Sequence, residues 1–245
     1  VSPGLAQFDC SGAPGVAEVR AALVRSGVVE LHNLLSSDAI DRWRSTAVDR
    51  YEFFADRMRA QGIDPRRDKV RRREAMRRSP GRLDLRLEGD FDPGWWSELS
   101  QQSLVLDLVA SVLQPGFRHL FSGIVVSQPG ARLQHTHRDG GSGLFPEQPL
   151  PLPAYALTIF VPLTGFGAEF GPTEFFPGQW LVDPDEDAVA IPAALDSGSA
   201  LVFDYRIPHR GGANVGECDR IYMYSVLARP WFGDHLNYNE PSLLA

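Results

Sequence analysis

The sequence predicts a β-sandwich or barrel in its second half, buttressed by helices in its first half, within one domain. Three observations predict this. From Phe117 onward, short apolar or alternating runs are separated by Gly and Pro, the punctuation of an all-β sandwich or barrel. Before that point, the longer runs repeat apolar residues at three- and four-residue spacing, as helices with one apolar face do. Finally, 245 residues with 43% hydrophobic and 22% charged content allow one domain or two and fit an ordinary globular protein.

Taken in order, residues 1–15 are rich in Gly, Pro and Ser and read as a loose arm. Residues 27–31 read as a short strand. Ser36, Ser37 and Asp38 can cap a helix from about Ala39 to Arg59, whose apolar face is Ile40, Trp43, Ala47, Tyr51 and Phe54. A basic block follows at 57–82, with Arg66, Arg71, Arg73, Arg77 and Arg78 among its cations. It is either a landing surface for an anionic substrate or a solvated, mobile loop. Residues 82–87 alternate and predict a strand, and 99–113 a second helix ended by Pro115-Gly116. Strands are then expected at 120–127, 133–139, 155–163, 173–176, 200–204 and 221–228. Residues 144–153, rich in Leu and Pro, are placed as a lid. The division is a mostly helical support with a few strands (1–116), a β core (117–232) and a C-terminal tail (233–245).

Bulk charge narrows the partners. A net charge of -7 argues against a general nucleic-acid binder, whose footprint is basic. Cys10 and Cys218 are too few for a disulfide framework or a thiolate zinc site. No apolar run approaches the ~20 residues of a membrane helix, and no signal-peptide hydrophobic region opens the chain. The expectation is an intracellular, cytoplasmic protein with a small-molecule substrate, anionic if the basic block receives it.

The chemistry concentrates in Gln134-His135-Thr136-His137-Arg138-Asp139-Gly140. If this segment is a strand, residues two apart share a face, so His137 and Asp139 point the same way. Two histidines and one carboxylate on one face leave coordination sites open on iron(II). A third ligand must come from elsewhere, and the candidates are His32, His119, His209 and His235. His209 is best placed, between two predicted strands, with Arg220 shortly after it. An arginine at the mouth of a β-barrel can hold a carboxylate by a bidentate pair. Gln134 and Asp204 are candidates to fix the histidine tautomers.

His137-x-Asp139, Gly171-Pro172-Thr173-Glu174-Phe175-Phe176-Pro177-Gly178, His209-Arg210-Gly211-Gly212-x-Asn214 and Arg220 occur in that order. Together they resemble the phytanoyl-CoA dioxygenase family of iron(II)- and 2-oxoglutarate-dependent oxygenases. The resemblance runs from about Gly27 to Phe232. It implies a double-stranded β-helix (jelly roll, cupin-like) core and the cofactors Fe(II), 2-oxoglutarate and O2. His137, Asp139 and His209 would bind iron, and Arg220 would pair with the distal carboxylate of 2-oxoglutarate. Tyr155 and Thr158 would lie beside the cosubstrate. The reaction implied is hydroxylation or another C–H oxidation, with succinate and CO2 as coproducts. Relatives that halogenate lack the carboxylate that Asp139 supplies here. The turn departs from the family's Pro-Gly-Ser-His, reading Pro177-Gly178-Gln179-Trp180.

Two other readings stay open at this level. His135-x-His137-x-Asp139 also matches the core of metallo-β-lactamase-like zinc hydrolases. A jelly roll that binds a ligand without catalysis is the other, since fold does not fix function.

Overall fold

A computed structural model describes residues 4–140, 152–179, 183–185, 187–234, 237 and 239–244. Strand β1 (Ala6–Asp9), helix α1 (Val16–Ser26), β2 (Val28–His32) and α2 (Ser37–Ala60) open the chain. β1 corrects the expected loose arm. It runs parallel to β2, with Ala6 opposite Val29, a long-range pairing that so short a strand does not announce locally. The helix predicted from Ala39 begins at the predicted cap: Ser36 Oγ accepts from the Ala39 amide at 3.3 Å. Ile40, Trp43, Ala47, Tyr51 and Phe54 are all buried.

β3 (Ala75–Ser79) and β4 (Arg82–Leu87) come next, then α3 (Trp95–Leu99) and α4 (Ser103–Leu113). The helix expected at 99–113 is α4, which starts at Ser103 because the backbone turns extended at Gln102, and the short α3 precedes it. The remaining strands are β5 (Arg118–Ser127), β6 (Ala156–Pro162), β7 (Thr173–Phe175), β8 (Ile191–Pro192), β9 (Ala200–Asp204), β10 (His209–Gly211) and β11 (Arg220–Ala228). They form an eight-stranded sheet, β1-β2-β9-β6-β11-β5-β4-β3, and a three-stranded sheet, β10-β7-β8. The core is the expected jelly roll, mainly β with helices packed on it.

Register explains how the large sheet serves two purposes. Leu83, Leu85 and Leu87 of β4, Ile124 and Val126 of β5, and Met223 of β11 join α1, α2 and α4 in one apolar core. The alternate residues, including Arg82, Asp84, Arg220 and Tyr222, face a cavity of about 380 Å³. Phe175, Leu201, Phe203 and Ile207 cluster between the two sheets. The strand expected at 133–139 does not form. That stretch makes one isolated bridge, His137 with His209. Residues 144–151 of the expected lid lie outside the described residues.

Candidate active site

The bridge between His137 and His209 is the germ of the site. Each histidine amide donates to the other's carbonyl at 2.9 Å, and the two rings lie 4.5 Å apart between centroids. Asp139 approaches them, with Oδ1 at 3.6 Å from His209 Nε2. One ligand atom from each of His137, Asp139 and His209 lies within 4.8 Å of the others, so this group could hold a metal ion. Each histidine places Nδ1 at 3.0 Å from the carbonyl two residues earlier, His135 O and Ile207 O. A carbonyl only accepts, so Nδ1 carries the hydrogen and Nε2 keeps its lone pair for a metal. Burial pushes His209 down to about 4, against the pull of Asp139 and with the help of His137. The ring is therefore neutral at neutral pH, the form that binds metals.

Asp139 is oriented by its surroundings more than by a ladder. Thr158 Oγ1 donates to Asp139 Oδ2 at 3.2 Å. A side chain on the next residue would crowd its neighbours: a Cβ at Gly140 would stand 2.5 Å from the Tyr155 hydroxyl and 3.2 Å from Tyr205 Cδ1. Gly140 N donates to the Tyr205 carbonyl at 3.0 Å.

Two buried guanidiniums form the other end of the cavity. Arg82 and Arg220 are both paired with Ser127, on opposite sides of β5, and so project from one face of three adjacent strands. Arg220 donates through Nη1 to the Gly171 carbonyl and lies over the Tyr222 ring, 4.6 Å from its centroid. Arg82 donates to the carbonyls of Arg132, at 2.7 Å, and Gly212. In both, Nε is buried without a partner among the described residues. Burial, then the neighbouring Arg220 charge, brings Arg82 down to about 10, and burial lowers Arg220 against Tyr222. Two buried guanidinium charges on the lining of one cavity suit a ligand with carboxylates.

The other expected residues divide. His135 lines the cavity but lies outside the metal-ligand group. Thr158 lines the cavity. Tyr155 does not: it stands behind Gly140, its ring 4.6 Å from Phe232 and its hydroxyl buried without a partner among the described residues. Gln134 Oε1 accepts from Gly211 N at 2.9 Å, and Asp204 pairs with Arg206 at 2.7 Å. Neither fixes a histidine tautomer; backbone carbonyls do that. His32 contacts Glu30 and Ser199, and His119 contacts Ser122. His235 and Trp180 lie outside the described residues. Arg82 is the residue that sequence reasoning missed. Its signal was present, because charges at 82, 84 and 86 alternate with Leu83, Leu85 and Leu87, and a strand with a leucine core face must turn those charges elsewhere.

Much of the basic block is solvated turn and loop, as one of its two readings expected, and several of its arginines are ion-paired. Arg66 forks onto Asp219 at 2.8 Å, Arg71 pairs with Glu240 at 2.7 Å, Arg73 with Glu74 at 3.2 Å and Arg78 with Asp84 at 3.0 Å.

With the site described, similarity to known proteins gives it a context. Dioxygenase af480 of Aspergillus fumigatus is 30% identical over 146 residues, covering 56% of this chain and 45% of that relative. The match thus spans under half of the relative's length. Among solved structures, SnoK, a non-heme alpha ketoglutarate dependent carbocyclase from nogalamycin biosynthesis, superposes with a TM-score of 0.63 at 17% identity, covering 86% of this chain and 83% of SnoK. HygX from Streptomyces hygroscopicus, solved with nickel and 2-oxoglutarate bound, gives 0.62 at 12% identity, over 92% and 94% of the two chains. Identities this low speak for a shared fold. No helix among the described residues is long and apolar enough to cross a membrane. The profile of the phytanoyl-CoA dioxygenase (PhyH) family matches residues 23–222, most of the chain, and the protein belongs to that family.

Proposed function

We propose that this protein is an iron(II)- and 2-oxoglutarate-dependent dioxygenase that hydroxylates, or otherwise oxidises, a C–H bond of a small molecule. One observation carries the proposal: a two-histidine, one-carboxylate group shares a cavity with two buried guanidiniums whose Nε atoms have no partner among the described residues. The donor set suits iron(II), which prefers such a face with open positions. The guanidinium pair suits a dicarboxylate. His137, Asp139 and His209 would hold iron through Nε2, a carboxylate oxygen and Nε2. Arg220 would pair with the distal carboxylate of 2-oxoglutarate, and Arg82 would add a second positive charge beside it. Thr158 would keep the Asp139 carboxylate turned towards the metal.

Iron and 2-oxoglutarate together supply the oxidising chemistry: one atom of O2 enters succinate, released with CO2, and the other enters the substrate as a hydroxyl. The chain's part is to orient the reactants and limit water in the cavity. Asp139 occupies the position that halogenating relatives leave open, so the proposal is hydroxylation-type oxidation.

The test is to incubate purified protein with iron(II), 2-oxoglutarate and O2 and to follow succinate, beside calorimetric titration of metal and 2-oxoglutarate without O2. Metal binding should fall by at least ~100-fold in Asp139→Ala and His209→Ala. Binding unchanged in both variants sinks the proposal. A zinc hydrolase built on His135 is disfavoured because His135 lies outside the ligand group and the strands of the β core after Asp139 pair antiparallel. A ligand-binding protein without catalysis would bind 2-oxoglutarate yet form no succinate.

A further inference from the structure

Part of the cavity wall comes from residues near the end of the chain. Asn237 lines the cavity. Its side-chain amide donates to the Asp139 carbonyl at 3.3 Å and to Asp234 Oδ2 at 2.9 Å, and its Oδ1 accepts from Arg78 Nη1 at 3.1 Å. Asp234 accepts from the Tyr205 hydroxyl at 2.7 Å, and the Tyr205 carbonyl accepts from Gly140 N at 3.0 Å. Two ties therefore converge on the Asp139-Gly140 backbone, and Asp234 joins them. On the far side, Arg78 Nε donates to Asp84 at 3.0 Å and the Tyr224 hydroxyl donates to Asp84 at 2.8 Å. The network is thus anchored on β4 and β11.

The same part of the chain is fastened beyond Asn237. Arg71 holds Glu240 at 2.7 Å, and the Arg73 amide donates to the Pro241 carbonyl at 3.0 Å. Glu74, itself buried, accepts from Ser242 Oγ and Leu243 N, both at 2.7 Å, and Leu243 is 1% exposed. Arginines of the 57–82 block serve as clamps for these residues.

We propose that Asn237 is a positioning residue for the metal site: by holding the Asp139 carbonyl, it sets the direction in which the Asp139 carboxylate meets His137 and His209. This rests on the reading of that group as a metal centre. Asp139 lies outside any strand, one bridge away from regular pairing, so its direction depends on side-chain ties. Outer partners of metal ligands are worth about 10–100-fold in metal affinity. Asn237 acts on the backbone of Asp139, not on its carboxylate, which places the expected effect at the lower end, about tenfold.

The probe is cobalt(II) alone, added to metal-free protein without 2-oxoglutarate or substrate. Two quantities are read, the dissociation constant and the visible absorption, which reports coordination geometry, beside the melting temperature of the metal-free protein. Asn237→Ala should weaken cobalt binding about tenfold and change the absorption. Glu74→Gln loosens the same end of the chain without touching Asp139, and it should leave cobalt affinity nearly unchanged even where the melting temperature falls. Unaltered affinity and absorption in Asn237→Ala would overturn the proposal. So would an equal loss of affinity in the two variants at matched melting temperature, which marks general loosening. Failure of the unsubstituted protein to bind cobalt is a different result, and it removes the metal reading itself.

Discussion

The two ends of the cavity are built by opposite means. The guanidinium end stands on long regular strands: β5 is paired with β11 from Arg220↔Ser127 to Ala228↔Arg118 and with β4 from Arg82↔Ser127 to Leu87↔Ser122. The metal end stands on three-residue β10, one isolated bridge and a set of side-chain ties. Ladder hydrogen bonds fix Arg82 and Arg220 whatever the neighbouring side chains are. Asp139 is held in part by side-chain contacts, from Thr158 and Asn237, that single substitutions remove. Under the proposed function, charge recognition sits on rigid scaffold, while the metal face depends on local chemistry. Substitutions at the first end should change ligand affinity and little else; at the second they should change metal affinity and local stability together.

The largest effect expected from breaking this contrast is at Arg220. Arg220→Ala removes a charge-assisted, bidentate donor from a buried site, and 2-oxoglutarate affinity should fall about 100-fold. Arg220→Lys keeps the charge without the fork and should fall between. Arg82→Ala should cost about tenfold, as one charged contact. Calorimetry with 2-oxoglutarate and metal under anaerobic conditions measures all three. In each, metal affinity without 2-oxoglutarate should stay close to that of the unsubstituted protein. A parallel loss of metal affinity would mean the two ends are coupled and the contrast is wrong.

Acid probes the metal end next. His209 is depressed to about 4 by burial, with Asp139 opposing and His137 adding to the fall. The unfolded chain, with an ordinary histidine near 6.5, binds more protons than the folded chain between those values. Stability therefore rises with pH across that window. It is complete above about 6.5 and is lost as pH falls towards 4, at up to roughly 1.4 kcal/mol per pH unit. Melting temperatures of the metal-free protein from about pH 7 to about pH 4 should show this slope, and His209→Gln should flatten it. An unchanged slope would place the titrating group elsewhere.

How much of this was legible depends on which forces are local. The α2 face and its cap were legible because helix periodicity and capping are written within a few residues. The ligands His137, Asp139 and His209 stood out as residue types, yet the strand expected to present two of them does not form. His137 and Asp139 are brought to one side by a single bridge to β10, which alternation within 133–139 cannot encode. β1 escaped notice because its partner is distant in sequence. Tyr155 was expected to face a cosubstrate, but burial against Phe232 and Gly140 decides where its ring goes. The basic block is solvated as read, but its ion pairs were hidden because the acidic partners, Asp219 and Glu240, lie far along the chain. Charge pairing across such separations belongs to the fold and is invisible to composition.

The smallest effects concern the contact behind Asp139, and they sharpen the claim that the metal end is packed side chain by side chain. Gly140→Ala would put a methyl 2.5 Å from the Tyr155 hydroxyl, and overpacking of this kind costs about 1–3 kcal/mol. Metal affinity should fall with stability, because the backbone that moves is the one carrying Asp139. Tyr155→Phe removes the atom that the methyl would meet. That hydroxyl is also buried without a partner among the described residues, and burial pushes it up to about 12. Its loss alone should leave stability within about 1 kcal/mol of the unsubstituted protein, or raise it, since the fold no longer buries an unpaired polar group. In the double variant, the ring without its hydroxyl should give the Gly140→Ala methyl room, restoring part of both stability and metal affinity, a non-additivity expected of residues in contact. Denaturant unfolding of the four proteins, with cobalt titration of each, measures the coupling. Strict additivity would mean that the Gly140→Ala methyl does not meet the Tyr155 hydroxyl, and that Tyr155 does not press on the metal loop.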